Sequence, residues 1–255
     1  MASVPLLCLG SAAALSDGRQ WNATLIDGRV LLDLPPTAVL EMHRHGVDLA
    51  SLDVVLISHL HADHVFGLPF LLLEYAVRCQ RHKPLYVVGP PGLRAQSEIL
   101  FTLAWPGMGK AGLRPSGPIE YVEVEPGREV RVADLVVSAT PMSHFGLLAF
   151  GYRFTCGGVR FAYTGDTGDC CELEELLSDV DVAIMELTHP TSKNDPGHLD
   201  VERLACLTEG ARRRGTRLFA THMTEPPAVP PEGVTLYEDG KLYWVSPRGS
   251  GVHRS

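Results

Sequence analysis

The stretch Leu52-Asp53-Val54-Val55-Leu56-Ile57-Ser58-His59-Leu60-His61-Ala62-Asp63-His64 decides how this chain folds. Its first half, Leu52–Ser58, is a β-branched apolar run that reads as a buried strand ending directly at His59. Its second half packs three imidazoles and a carboxylate into six residues. Those ligand types suit zinc and its neighbours, and a neutral histidine needs little deprotonation to bind. A strand that ends at His59 and turns tightly into a helix points alternating side chains to either side. His59 and His61 then serve one metal ion, and Asp63 and His64 a second. The plain alternative is a solvated turn rich in histidine, but four metal-type side chains at the end of a buried strand weigh heavily against it.

Outward from this cluster, short β-rich runs alternate with turn signals and a few helical stretches. Val4–Leu9, Ala23–Ile26 and Arg29–Asp33 read as strands, with a hairpin-type turn at Asp27-Gly28. Leu68–Gln80 reads as a helix with Pro69 in its first turn, where a missing N–H costs little. Leu85–Val88 is a strand, Leu93–Trp105 a second helix, and residues 106–118 a loop. Ile119–Val124, Val130–Val132 and Leu135–Ala139 follow as strands, then a hairpin of Ala149–Thr155 and Val159–Thr164 around Cys156-Gly157-Gly158. Glu172–Leu177 is a short helix, Val182–Leu187 a strand, and Leu199–Arg213 an amphipathic helix. Arg217–Thr221 is a strand, and Val234–Tyr237 and Lys241–Val245 flank a turn at Asp239-Gly240. Strand-rich halves, each with helices, imply two packed sheets with helices outside. The expectation is an α/β fold, a four-layer αββα sandwich in a single domain over residues 1–246, with 247–255 a flexible tail.

The composition of the 255 residues is that of an ordinary globular chain, 45% hydrophobic and 20% charged. With 22 basic and 30 acidic residues the formal charge is −8, a poor platform for nucleic acid in general. Bound metal ions still supply local positive charge for a small phosphodiester. The N-terminal segment lacks the basic region of a signal peptide, and no apolar run is long enough to span a membrane. Cys8, Cys79, Cys156, Cys170, Cys171 and Cys206 form no CxxC pair, so reduced thiols in a cytoplasmic protein are expected.

Other metal-type residues also stand at the ends of β-rich runs. Leu135–Ala139 leads to Met142-Ser143-His144, Phe161–Thr164 to Gly165-Asp166, and Arg217–Thr221 to His222. Each alone reads as a cap or turn residue; their repetition favours ligation. The segments Leu9-Gly10-Ser11, His59-Leu60-His61-Ala62-Asp63-His64, His144, Tyr163-Thr164-Gly165-Asp166 and His222 resemble the ordered motifs of the metallo-β-lactamase superfamily. The resemblance implies the αββα fold. It also implies that His59, His61 and His144 hold one ion, that Asp63, His64 and His222 hold the other, and that Asp166 bridges them. Zinc is the default for these donors, with manganese or iron as substitutes.

Three further features resemble the ribonuclease Z-like phosphodiesterase branch. They are Phe150-Gly151-Tyr152-Arg153-Phe154, Tyr163-Thr164-Gly165-Asp166-Thr167, and Glu186-Leu187-Thr188-His189 followed by Gly197-His198. Phosphodiester hydrolysis needs an attacking water, charge stabilisation on phosphate oxygens and a proton for the leaving alkoxide. His198 is the candidate proton donor, Glu186 its orienting group, and His189 a rival donor; Asp63 is counted with the catalytic groups as well as the ligands. His198 as an ordinary residue at a helix start is the bland reading. His43 and His45 read as a solvated helix end, and Cys170 and Cys171 as packing residues.

Two departures qualify the resemblance. Ribonuclease Z proteins commonly carry a tRNA-gripping arm between the third-motif histidine and the bridging aspartate, but here only a hairpin fits between His144 and Asp166. In Leu31-Leu32-Asp33-Leu34-Pro35-Pro36, where many relatives have Asp-Cys/Ala-Gly with small residues beside the site, the Leu-Pro-Pro version is expected to alter the pocket wall. The expected activity is therefore a dinuclear metal-dependent hydrolase of small or cyclic phosphodiesters, with tRNA disfavoured as partner and a homodimer admitted. The alternatives are a lactone, thioester or other acyl hydrolase, and a non-catalytic metal-binding regulatory domain.

Overall fold

Runs such as Val54-Val55-Leu56 become strands with both faces buried because helices cover one side of each sheet and the other sheet covers the second. The computed structural model describes residues 3–108 and 110–249. β1 (Val4–Gly10), β2 (Ala23–Ile26), β3 (Val30–Leu32), β4 (Val54–Leu56), β5 (Leu85–Gly89) and β6 (Ile119–Glu123) form the first sheet in chain order. β7 (Glu129–Val132), β8 (Leu135–His144), β9 (Leu147–Cys156), β10 (Val159–Tyr163), β11 (Val182–Glu186), β12 (Arg217–Thr221) and β13 (Val234–Leu236) form the second. β14 (Leu242–Val245) then returns to the first sheet and pairs antiparallel with β1. Both sheets are mixed: hairpin pairings from β1 to β3 and β7 to β10 give way to parallel pairings from β3 to β6 and β10 to β13.

Three apolar layers account for the four-layer sandwich. Leu6, Ile26, Val54, Phe150, Phe161 and Phe219 fill the space between the sheets. The outer face of the first sheet packs Leu31, Val55 and Val87 against α1 (Ala38–Arg44), α3 (Leu68–Val77) and α4 (Leu93–Ala104). The outer face of the second packs Ala183, Met185 and Leu218 against α5 (Glu172–Leu176) and α6 (Val201–Arg213). The helical turn α2 (Ala62–Val65) lies within the histidine cluster itself. Asp200 caps α6 by accepting a hydrogen bond from Arg203 N at 2.8 Å, which starts that helix at Val201 instead of Leu199. Among the described residues no helix is long and apolar enough to cross a membrane.

At three places the structure changes or adds to the expected layout. β8 does not stop at Ala139 but runs through Pro141 to His144. Its outer neighbour β7 pairs only with Leu135–Ser138, so Pro141 lies on an open edge where its missing N–H breaks no ladder bond. The segments flanking Asp239-Gly240 do not pair with each other but enter different sheets. Asp239 accepts hydrogen bonds from Ser11 N, Ser11 Oγ and Gln20 N, and Gly240 N donates to Cys8 O, so the turn docks on the end of β1.

The third concerns the tail expected from Pro247. Arg248 Nε donates to Asp181 at 3.2 Å and its Nη2 to Asp179 at 2.6 Å. Burial pushes the Asp181 carboxyl up, but hydrogen bonds from Arg160 and the backbone N–H of Arg248 more than offset it and hold it at about 2. The chain is thus fastened at Arg248, and residues 250–255 of the expected tail lie outside the described residues.

Candidate active site

Strand ends deliver the chemistry to one edge of the sandwich. β4 leads to His59, β8 ends at His144, β10 leads through Gly165 to Asp166, and β12 leads to His222. Gly165 has φ +58, and a Cβ there would fall 2.4 Å from Ser58 Cβ, so only glycine lets the two sheet ends meet. The Phe150–Phe154 segment braces the same junction: Tyr152 Oη donates to Ile57 O at 2.7 Å and Phe150 N to Ser58 O at 2.9 Å.

Two constellations result. His61 Nδ1 lies 2.9 Å from His59 Nε2 and 3.2 Å from His144 Nε2. Asp63 Oδ2 lies 3.4 Å from His64 Nε2 and 3.5 Å from His222 Nε2. Asp166 Oδ2 reaches across both sets, at 3.3 Å from His64 Nε2, 3.2 Å from His222 Nε2 and 3.9 Å from His59 Nε2. The structure therefore brings together all seven candidate ligands, in groups of three whose ligand atoms lie within 4.8 Å of one another.

Their environment suits divalent cations. His64 Nε2, His222 Nε2 and Asp166 Oδ1 are buried polar atoms without a hydrogen-bond partner among the described residues, a costly arrangement unless a cation takes the lone pairs. The opposite nitrogen of each buried histidine is engaged. His64 Nδ1 donates to Asp33 Oδ2 at 2.7 Å, His144 Nδ1 to Gly197 O at 2.9 Å, and His222 Nδ1 to Thr188 Oγ1 at 2.9 Å. His59 Nδ1 faces Ser58 Oγ at 3.1 Å. Each such bond fixes the tautomer that leaves Nε2 free to coordinate. Desolvation lowers the pKa of His59, His61 and His144, keeping them neutral. Burial pushes Asp166 and Asp63 up, but the surrounding histidines pull both well below the usual carboxylate range. Burial lowers the His64 pKa, but the charges of Asp166 and Asp33 more than reverse it, so the field around this ring favours positive charge.

Asp33 anchors the histidine cluster from beneath, a place the sequence reading did not give it. The fully buried carboxylate accepts from Ser58 N at 2.7 Å, Ser58 Oγ at 2.9 Å, His64 Nδ1 at 2.7 Å and Tyr163 Oη at 2.5 Å. Tyr163 in turn accepts from Asn22 Nδ2, and Asn22 Oδ1 from Thr221 Oγ1, which ties the cluster to both sheets. The available signal was a lone carboxylate inside the apolar run Leu31–Leu34. The expectation that Leu34, Pro35 and Pro36 alter the pocket wall is corrected. Leu34 is buried among the residues beneath α1 and α3, and none of the three lines the cavity.

That cavity, of about 330 Å³, is lined by His61, Asp63, His144, Asp166, His198 and His222 together with Ala13, Leu15 and Phe145. His198 stacks on the His222 ring at 5.6 Å and crosses the His144 ring at 4.9 Å. Its Nδ1 donates to Glu186 Oε1 at 3.0 Å, and buried Glu186 also accepts from Thr167 N and Thr188 N. Burial lowers the His198 pKa, but Glu186, together with the charges of Asp166 and Asp195, raises it by more. His189 Nε2 is instead paired with Asp195 at 3.0 Å. His43 and His45 are exposed at the end of α1, away from the cavity. Cys170 packs beside the layer under α5 and α6, whereas Cys171 is exposed, so the packing reading fails for it.

Two residues at the site hold backbone conformations that side chains resist. His222 has φ +55 and Phe145 φ +46, each costing roughly 1–3 kcal/mol. At His222 the carbonyl is held by Thr188 Oγ1 at 3.2 Å and the next peptide N–H by Ser11 O at 2.9 Å, which aims the imidazole at Asp63 and Asp166.

A model described as a beta-lactamase superfamily domain matches residues 28–223. The chain is 30% identical over 146 residues to the ribonuclease Z of Staphylococcus saprophyticus, covering 57% of this chain and 44% of that protein. It spans about half the length of the curated relatives it matches. Among solved structures, human tRNase Z, short form, aligns with a TM-score of 0.74 at 22% identity, covering 95% of this chain and 99% of that one. The metallo-beta-lactamase fold protein YhfI of Bacillus subtilis aligns with a TM-score of 0.74 at 15% identity, covering 96% and 100%. These two likenesses carry the fold alone.

Proposed function

Because the chain belongs to the metallo-β-lactamase superfamily and is related to ribonuclease Z, we propose that it is a dinuclear metal-dependent phosphodiesterase acting on small phosphodiesters, cyclic ones included. One metal set comprises His59, His61 and His144, the other Asp63, His64 and His222, with Asp166 common to both. When bound, two divalent ions supply Lewis-acid polarisation of a phosphoryl oxygen and a water of lowered pKa. Asp63, less buried than the other carboxylate at the cavity floor, accepts a hydrogen bond from the attacking water and orients it.

The observation that carries the phosphodiester reading is the Glu186–His198 pair. His198 also lies within 4.8 Å, ligand atom to ligand atom, of His144, Asp166 and His222, but its Nδ1 is held by Glu186 and the seven-residue ligand assignment does not use it, which leaves Nε2 to carry a proton toward the leaving oxygen. His189, its Nε2 tied to Asp195, is the poorer donor. The size of the substrate follows from the cavity and from the chain between His144 and Asp166, which is taken up by β9, β10 and their turns.

The test is a parallel assay of metal-loaded protein on bis(p-nitrophenyl) phosphate, a cyclic phosphodiester, a lactone and a thioester. Phosphodiester turnover is expected to dominate, to vanish on chelation and to return with added metal. Turnover confined to the lactone or thioester would overturn the reading in favour of acyl hydrolysis.

A further inference from the structure

The turn between β8 and β9 carries a residue that turn chemistry does not explain. His144 pairs with Leu147, so Phe145-Gly146 is a two-residue hairpin loop, and both residues have positive φ, +46 and +75. Such a loop favours Asn, Asp or Gly at its first position, where a bulky aromatic is disfavoured. Backbone strain of this kind persists where the side chain serves the site.

The ring is turned inward and seated. A Cβ on Gly197 would fall 2.4 Å from Phe145 Cε2, so the glycine exists in the space the ring requires. Its centroid lies 4.9 Å from the His144 ring and 5.5 Å from the His198 ring. Phe145 is nevertheless 55% exposed, because beyond these contacts it forms a wall of the cavity and no group among the described residues covers it. Ala13, Ala14 and the 84% exposed Leu15 add apolar lining to the same cavity. About 330 Å³ lies at the small end of ligand pockets, a size suited to one ring beside a phosphate.

We propose that Phe145 is the platform on which a planar aromatic group of the substrate stacks, so that the site takes aryl or nucleoside phosphodiesters in preference to purely alkyl ones. This rests on the phosphodiesterase reading and names its substrate class. An aromatic face 5.5 Å from the ring of the proposed proton donor lies on the leaving-group side of the site, so the preference acts on the group that departs from the phosphate. Leu147 and Leu148 on the same hairpin are also exposed, but they do not line the cavity. They are compatible with a contact between copies, an occupant that the experiment separates.

Phe145→Asn relieves the turn while deleting the ring, so its two effects run in opposite directions. The metal-loaded full chain is titrated calorimetrically with phenylphosphonate and with methylphosphonate, and its Tm and solution mass are recorded. The wild type is expected to bind phenylphosphonate more tightly. Phe145→Asn should weaken that ligand by roughly tenfold or more, leave methylphosphonate unchanged and raise Tm. Phe145→Tyr should keep the preference, and Phe145→Leu should lose most of it. An undiminished phenyl preference in Phe145→Asn overturns the proposal. So does a fall in Tm with the preference retained, which makes the ring structural, or a change in mass with the preference retained, which makes it an interface. Loss of the preference in a protein whose wild type hydrolyses no diester would leave the platform standing and sink the phosphodiesterase reading instead.

Discussion

His198→Ala is expected to lower kcat for a cyclic phosphodiester by about 10²–10⁴-fold, with a much smaller change in KM. Cleaving such a ring releases an alkoxide, which departs slowly unless a proton meets it. Within the cavity His198 is the histidine outside both ligand sets whose ring is oriented by a buried carboxylate, Glu186, at 3.0 Å. The same substitution should cost far less with bis(p-nitrophenyl) phosphate, whose phenolate leaves without help. That difference between leaving groups identifies proton donation, since a general disturbance of the cluster would slow both substrates alike. Glu186→Gln should fall between wild type and His198→Ala on the cyclic substrate, because the ring remains but its orientation weakens. Equal losses on the two substrates would remove His198 from the proton-donor role.

Asp33→Ala is expected to destabilise the protein by about 3–5 kcal/mol and to weaken metal binding by roughly 10–100-fold. Its carboxylate accepts hydrogen bonds from four groups, Ser58 N, Ser58 Oγ, His64 Nδ1 and Tyr163 Oη, none of which has water to turn to. Loss of the bond to Nδ1 also frees the His64 ring to rotate or change tautomer, and so misdirects Nε2. Asp33 has φ +54, a conformation that asparagine tolerates far better than alanine. Asp33→Asn therefore separates the carboxylate from the backbone: it should recover part of the stability and little of the metal affinity. Urea unfolding of metal-free protein and competitive metal titration read the two effects independently. Near-wild-type stability in Asp33→Ala would contradict the network described.

The metal cluster was legible because the interval from His59 to His64 is local, and its donor types have no packing role that explains them together. The sandwich was legible for a similar reason, since apolar runs of strand length alternate with turn residues along both halves. Pairings between distant segments were not. β13 and β14 flank Asp239-Gly240 as hairpin strands would, and only the docking of Asp239 onto Ser11 and Gln20 sends them to different sheets. Asp33 looked like a disturbance in a leucine-rich stretch because its partners, Ser58, His64 and Tyr163, are supplied by other elements. Phe145 was passed over as the residue after a ligand. Its meaning lies in the positive φ and in the space left by Gly197, neither of which local sequence displays.

The measurement that bears most directly on the proposed dinuclear centre is the metal content of the full chain after zinc loading and removal of excess ion. Elemental analysis should find two ions per chain, and Asp166→Ala should hold fewer than the wild type under the same conditions. One ion or none per wild-type chain at saturation would contradict the assignment of two ligand sets sharing Asp166.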